Sequence, residues 1–379
     1  MFKRLKLSLM MLTFMSTFVV YSFEYPQKTP ANSQISNGMI FQTFTSLPQT
    51  APYPLTMSTS ARLLIDSIPT YVTTFLLQVN RGNVVETGVN SFPFPPMAQQ
   101  PVLPSSELKP QNVSITSINE LMLLFDSLDY TLENFHKGNK SIPRLTFDAV
   151  GEGWRSVSSQ LPVKQKKTVF FRLMTPLVLL ANEKILQERQ VIMSADIDDT
   201  ALIALAVKYK VLSSTDKPLL EAQRQMLLKR VDILPPSLVL AQAAKESGWG
   251  TSRFSHEGNA LFGQWDFNGD GMEPKQKRQG LGNYGLARFD TPLASVEGYL
   301  LNLNTHNAYQ KMRDLRVQSR QDNQAVTGSE LAGTLDRYSE RGHAYVEAIR
   351  QMICTNKLYL VDDTYLSDDA PLHLLTRTN

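Results

Sequence analysis

The chain has 379 residues, 42% of them hydrophobic, and 38 Lys and Arg against 35 Asp and Glu leave a net charge of +3. That length can hold two domains and a sizeable core, while so mild a charge, with no basic run interleaved with aromatics, argues against a nucleic-acid partner. A lone cysteine, Cys354, excludes an intramolecular disulfide, and the five histidines show no metal-ligand spacing with one another or with it, so neither a metal nor another cofactor is expected.

In chain order, the first signal is one of targeting. Lys3, Arg4 and Lys6 precede an uncharged stretch, Leu7 to Phe23, rich in Leu, Met, Phe and Val. A basic region followed by an apolar one reads as a signal peptide or signal anchor over residues 1–23. Cleavage after Ser22 and retention as a membrane tether through residues 7–23 both stay open. Either way the rest of the chain is expected outside the cytoplasm, in the periplasm or cell envelope, secreted or anchored in the inner membrane. Residues 24–111 read as a linker. Twelve of the 21 prolines fall between Pro26 and Pro110, and clusters such as Phe92-Pro-Phe-Pro-Pro96 cannot continue a helix or an inner strand.

From residue 112 to 362 the pattern becomes helical. Leu121 to Phe125 opens an apolar segment that ends before Lys137-Gly138. Lys164 to Val191 carries Val169, Phe170, Leu177, Ala181 and Ile185 at helical spacing, with Pro176 predicting a kink or a restarted helix. Thr200 to Tyr209 and Leu219 to Val231 read as shorter helices. Gln264 to Arg288, rich in Gly, Asn and Asp, reads as a loop or short hairpin lobe. Thr291-Pro292 caps and starts a further helix, whose Leu293, Val296, Leu300 and Leu303 form an apolar stripe. Short helices continue to about Leu360, and residues 363–379 are expected to be a loose tail. The fold class is mainly α with one polar lobe.

The most informative residue lies in the stretch PPSLVLAQAAKESGWGTSRF, Pro235 to Phe254. Leu238 to Ala244 is apolar except for Gln242, as befits a buried helix opened by a proline pair. Gly248 and Gly250 stop it, which leaves Glu246 in the last turn. The negative end of the helix dipole and apolar surroundings both disfavour ionisation there. A carboxyl that keeps its proton near neutral pH is what a general acid needs, although a Glu near a helix end is more often a solvated surface residue. Gln242 lies one turn back on the same face, placed to bond Glu246 or a sugar, and helix packing explains it nearly as well. A helical body with such a Glu and a polar lobe fits glycoside hydrolysis, which uses two carboxyl groups across a cleft.

At this point AQAAKESGWGTSRF (Ala241 to Phe254), EGNALFGQW (Glu257 to Trp265), ARFDTPLASVEGYLLNLNTHNAY (Ala287 to Tyr309) and YSERGHAYVEAIRQMI (Tyr338 to Ile353) together resemble, in order, the Bax-like branch of the bacterial glucosaminidases of glycoside hydrolase family 73. The resemblance runs from roughly residue 142 to 360. It implies a lysozyme-like helical domain that cleaves the β-1,4 bond after N-acetylglucosamine in peptidoglycan, whose glycan strands would be its partner. Glu246 stands where that family has its general acid, and Tyr338 matches a tyrosine near it. Trp249 is a candidate cleft aromatic or, equally, a lock on the helix end. Asn259 and Gln264, in the second matching block, are candidate binders of acetamido or hydroxyl groups. Related enzymes supply a second carboxylate from the lobe, which here offers Asp266, Asp270 and Glu273. Glu273 is the choice, although the family's glutamate before the ARFD segment is replaced by Tyr284-Gly285. Asp266-x-Asn268-x-Asp270-Gly271 also copies half of a calcium loop, but Lys277 stands where the bidentate Glu belongs. The alternatives to hydrolysis are a lytic transglycosylase, which needs one acid/base Glu, and a non-catalytic module that binds cell wall.

Overall fold

The computed structural model describes residues 109–151, 153–266, 269–274 and 284–376. The expected signal segment, the proline-rich stretch up to residue 108 and part of the lobe, including Asn268 and Lys277 of the calcium-like run, lie outside the described residues.

The domain opens with β1 (Gln111–Ile115) and α1 (Ile118–Ser127), whose first turn is capped by the Ser117 hydroxyl accepting from the Glu120 amide. Thr131 caps α2 (Leu132–His136) likewise, and β2 (Ser141–Ile142), β3 (Leu145–Phe147) and α3 (Gly153–Gln160) follow. Then come the long α4 (Val163–Ser194), α5 (Thr200–Lys208), α6 (Glu221–Arg230), α7 (Pro236–Ser247) and α8 (Arg253–Gly258). The lobe contributes β4 (Trp265–Asp266) and β5 (Gly285–Leu286), an antiparallel pair. Beyond it lie α9 (Pro292–Thr305), a 3-10 turn (Asn307–Tyr309), α10 (Gln310–Gln321), α11 (Gly328–Ala332) and α12 (His343–Thr355). A second 3-10 turn (Leu358–Val361), β6 (Tyr365–Leu366) and β7 (Leu372–Thr376) close the domain. The architecture is mainly helical.

Two expectations need correction. The stretch after residue 362 is not a loose tail, because β7 lies between β1 and β3, parallel to both, with Leu372 opposite Gln111 and Leu145. Its backbone groups find partners on both sides, and Leu374 is buried in the cluster that includes Leu121, Phe125, Ile142, Leu145 and Leu179. An alternation of apolar residues as short as Leu372, Leu374 carries little signal without its partners. Nor does Pro176 restart a helix, since α4 runs through it as one element with Pro176 in the buried face. Packing of Met174, Leu177, Val178 and Ala181 into the core holds the helix across the missing backbone bond.

The rest of the core forms around α7. Leu238, Val239, Leu240, Ala241, Ala243 and Ala244 are all fully buried, and the helix packs against α4, α11, α12 and the second 3-10 turn. Each fully buried Leu or Val contributes about 1.5–3 kcal/mol relative to exposure, so this helix is anchored on every side. Its start is pinned as well. Neither proline can cap it with a side chain; Asp362 instead accepts from the Ser237 amide at 2.8 Å and the Ser237 hydroxyl at 2.7 Å. Gly328 of α11 must be glycine, because a Cβ there would meet Ser237 Oγ at 2.1 Å. Asn182 of α4 holds the preceding turn through both directions of a bond pair with the Leu234 backbone. Among the described residues no helix is long and apolar enough to cross a membrane.

Burial pushes the Asp362 carboxyl up to about 6, against the pull of its hydrogen bonds from Ser237 and Gly328. The folded state therefore holds this proton more tightly than the unfolded chain, where Asp titrates near ~3.9. Its contribution to stability is full below that value and declines as pH rises to about 6. Urea denaturation of the wild type and Asp362→Asn across that window should show a decline in the wild type that the variant lacks. Parallel pH dependences would contradict this account of the helix start.

Candidate active site

The end of α7 is set by backbone geometry. Gly248 adopts a left-handed φ of 59° and donates to the Ala244 carbonyl, and Trp249, at φ 63°, donates to the same oxygen. Glu246 thus occupies the last helical turn, where the unpaired carbonyl ends repel negative charge. Its carboxyl is half-buried. The Tyr345 hydroxyl, from α12, donates to Oε1 at 2.8 Å. Burial raises the pKa of Glu246 above the usual carboxylate range, outweighing the opposing effects of that hydrogen bond and of the Lys245 charge. The other oxygen, Oε2, faces Gly263, where a Cβ would stand 4.0 Å away. With φ at +63°, Gly263 also has the backbone conformation that side chains rarely adopt.

Gln242, expected to bond Glu246 or a sugar, is fully buried. Its Nε2 donates to the Tyr345 hydroxyl at 2.8 Å, and its Oε1 accepts from the Tyr299 hydroxyl of α9. It therefore meets Glu246 through a tyrosine. The expectation for Asn259 is corrected. It is only 6% exposed and caps α8 in a left-handed conformation. Its Oδ1 accepts from the Val150 amide, and its Nδ2 donates to the carbonyls of Asp148, Phe289 and Asp290. An amide so engaged and so buried ties its own turn to two other segments and has no free N–H for a ligand.

Tyr338 lies beside the site but does not touch Glu246 by hydrogen bond. Its hydroxyl donates to the Phe262 carbonyl at 2.9 Å, and its ring stacks on Tyr345 at 5.4 Å. It fixes the floor under Gly263 and the ring that carries the Glu246 bond. Trp249 takes the locking role rather than joining this network. Its ring meets Phe170 and Phe171 edge-on, Lys167 lies over it, and its carbonyl accepts from the Trp154 indole. Gln264 packs beside Gly298, and its buried Oε1 has no hydrogen-bond partner among the described residues. Sequence reasoning missed Tyr345 and Tyr299. The available signal was that both lie on the apolar stripes of their helices, where a buried tyrosine needs a partner for its hydroxyl.

Glu273 is exposed on the lobe, which the Met272–Leu286 bridge joins to β5. Its backbone carbonyl accepts from Arg253, which also pairs with Glu257. Trp265 of β4, 44% exposed, presents an aromatic face tilted against Tyr284. Glu297 pairs with Lys184 at 3.0 Å and ties α9 to α4. A cavity of about 580 Å³ lies elsewhere. It is lined by apolar residues such as Phe147, Trp154, Phe170 and Leu374, and approaches the end of α7 at Gly250.

Residues 222–358, which contain the whole Glu246 network, match the glucosaminidase family model, described as mannosyl-glycoprotein endo-beta-N-acetylglucosaminidase. The chain is also 34% identical over 202 residues to Protein bax of Escherichia coli (strain K12), an alignment that covers 50% of this chain and 71% of that relative. No solved structure shows a significant match. With this identity over most of the relative, and with the family model spanning α6 to the second 3-10 turn, the chain belongs to the Bax-like branch of the bacterial glucosaminidases.

Proposed function

We propose that this protein is a peptidoglycan hydrolase that cleaves the β-1,4 bond after N-acetylglucosamine, with Glu246 as general acid. One observation carries the reading. The only acidic side chain at the end of the buried helix α7 is half-buried, held at one oxygen by Tyr345, and has its pKa raised by burial. Such a carboxyl holds its proton to higher pH than an ordinary glutamate and can give it to the leaving glycosidic oxygen as the bond to the anomeric carbon breaks. Exposed Trp265 and Glu273 on the lobe support binding of a glycan strand. Membership of the glucosaminidase family supports the substrate class and a lysozyme-like arrangement of the helices.

In this reading Glu273 activates the water that adds to the oxocarbenium-like centre. A second reading, a lytic transglycosylase, has its own support. Among the described residues, the charged and hydrogen-bonding groups acting on the Glu246 carboxyl are Tyr345 and Lys245. One acid/base group then suffices, and the sugar's own hydroxyl closes an anhydro ring. Mass spectrometry of digested peptidoglycan separates the two, since hydrolysis adds water to the new end and the transglycosylase leaves an anhydro end. The basic and apolar N-terminal segment supports an envelope location.

Glu246→Gln should lower the release of muropeptides from purified sacculi by roughly 10²–10⁴-fold while the melting temperature is retained. A folded, fully active variant would overturn the assignment. Under the hydrolase reading, Glu273→Gln should slow the same assay at least about tenfold; undiminished activity with an anhydro product would favour the transglycosylase. The kcat/KM profile should fall on its alkaline side as Glu246 loses its proton, at a pH above the ordinary carboxylate range.

A further inference from the structure

A buried chain of hydrogen bonds runs away from the active carboxyl, and its direction can be read from chemistry alone. Tyr299 is fully buried, and its hydrogen-bond partner among the described residues is Gln242 Oε1. An amide oxygen only accepts, so the Tyr299 hydroxyl is the donor. Were the Gln242 amide turned over, Tyr299 would receive from Nε2 and its own proton would be buried without an acceptor among the described residues, which is costly. Tyr299 therefore fixes which end of the amide points at Tyr345. That end is Nε2, which only donates, so the Tyr345 oxygen is occupied as an acceptor. Its proton is left to go to Glu246 Oε1.

Resting on the general-acid reading of Glu246, we propose that Gln242 and Tyr299 are positioning residues that force Tyr345 to donate to Oε1, so that the acid's own proton stands on Oε2, outward beside Gly263. With the amide reversed, Tyr345 would donate to Gln242 and could accept from Glu246. The catalytic proton would then point into the protein, away from any glycosidic oxygen. The relay sets the direction of proton delivery without touching substrate. Among the described residues, the titratable groups that face Glu246 are Lys245 on its own helix, Tyr345 of α12, Tyr299 of α9 and Tyr338 of the turn before α12. The three tyrosines are all held above their ordinary values, foremost by burial, so they stay neutral while Glu246 titrates.

The test compares pH profiles of kcat/KM on purified sacculi for Tyr299→Phe, Tyr345→Phe and the double variant, with melting temperatures recorded. Tyr345→Phe removes a hydrogen bond that favours the ionised carboxylate, so the alkaline limb should move to higher pH. Tyr299→Phe, one residue further from the acid and making no hydrogen bond to it, should move the limb the same way and lower the plateau roughly tenfold. The double variant's limb should match that of Tyr345→Phe alone, since both changes act through one bond. An unmoved limb in Tyr299→Phe, or shifts that add in the double variant, would overturn the relay. Should Tyr299→Phe not fold, Gln242→Glu takes its place under the same criterion. It keeps the shape, accepts at both ends and should draw the Tyr345 proton away from Glu246. An active Glu246→Gln would instead remove the general-acid reading, whereas an inactive one beside an unmoved Tyr299→Phe limb would sink the relay alone.

Discussion

A carboxyl at the C-terminal end of a helix buried on all sides is the constraint from which the rest of the structure follows. Left to itself, Glu246 would be repelled by the helix dipole and starved of water, and a half-buried carboxyl without a partner is costly. The single bond from Tyr345 meets part of that need at Oε1, while Oε2 faces Gly263. Burial still outweighs that bond, so the carboxyl holds its proton more tightly than an ordinary glutamate does.

The remainder of the domain keeps that arrangement rigid. The helix bearing Glu246 is fixed at its start by Asp362 and Gly328, and along its length by α4, α11 and α12. The tyrosine that bonds Glu246 comes from α12 and the one that orients Gln242 from α9, so the site is built where three helices meet. The Phe262, Tyr299, Tyr338 and Tyr345 rings pack on one another and leave the hydroxyls little freedom to wander. Precision of this kind is what acid catalysis demands, because a proton aimed in the wrong direction is of no use to the leaving group.

Much of this was legible in the sequence, and the reasons differ from residue to residue. The proline pair, the apolar run and the two glycines placed Glu246 in the last turn of a buried helix, because each of those signals is local. Thr291-Pro292 marked the start of α9 for the same reason. Ordered sequence blocks identified the family. Partners distant in sequence were another matter. Gln242, Tyr299 and Tyr345 each lie on an apolar helix face, and nothing local says that the three polar groups meet. Asn259 looked like a ligand-binding amide, but its four bonds go to two backbone segments, 148–150 and 289–290, that local sequence cannot place beside it. Strand β7 depended on β1 and β3, more than two hundred residues earlier in the chain, so it read as loose.

The central claim is that Glu246 is protonated when the enzyme works. Isotope-edited infrared difference spectra of the wild type against Glu246→Gln would follow that carboxyl directly as pH is raised. The account predicts a carbonyl band that belongs to Glu246 and persists above the ordinary glutamate value of ~4.3. A band that vanishes at or below that value would mean an ionised carboxylate at the end of α7, and would contradict the account.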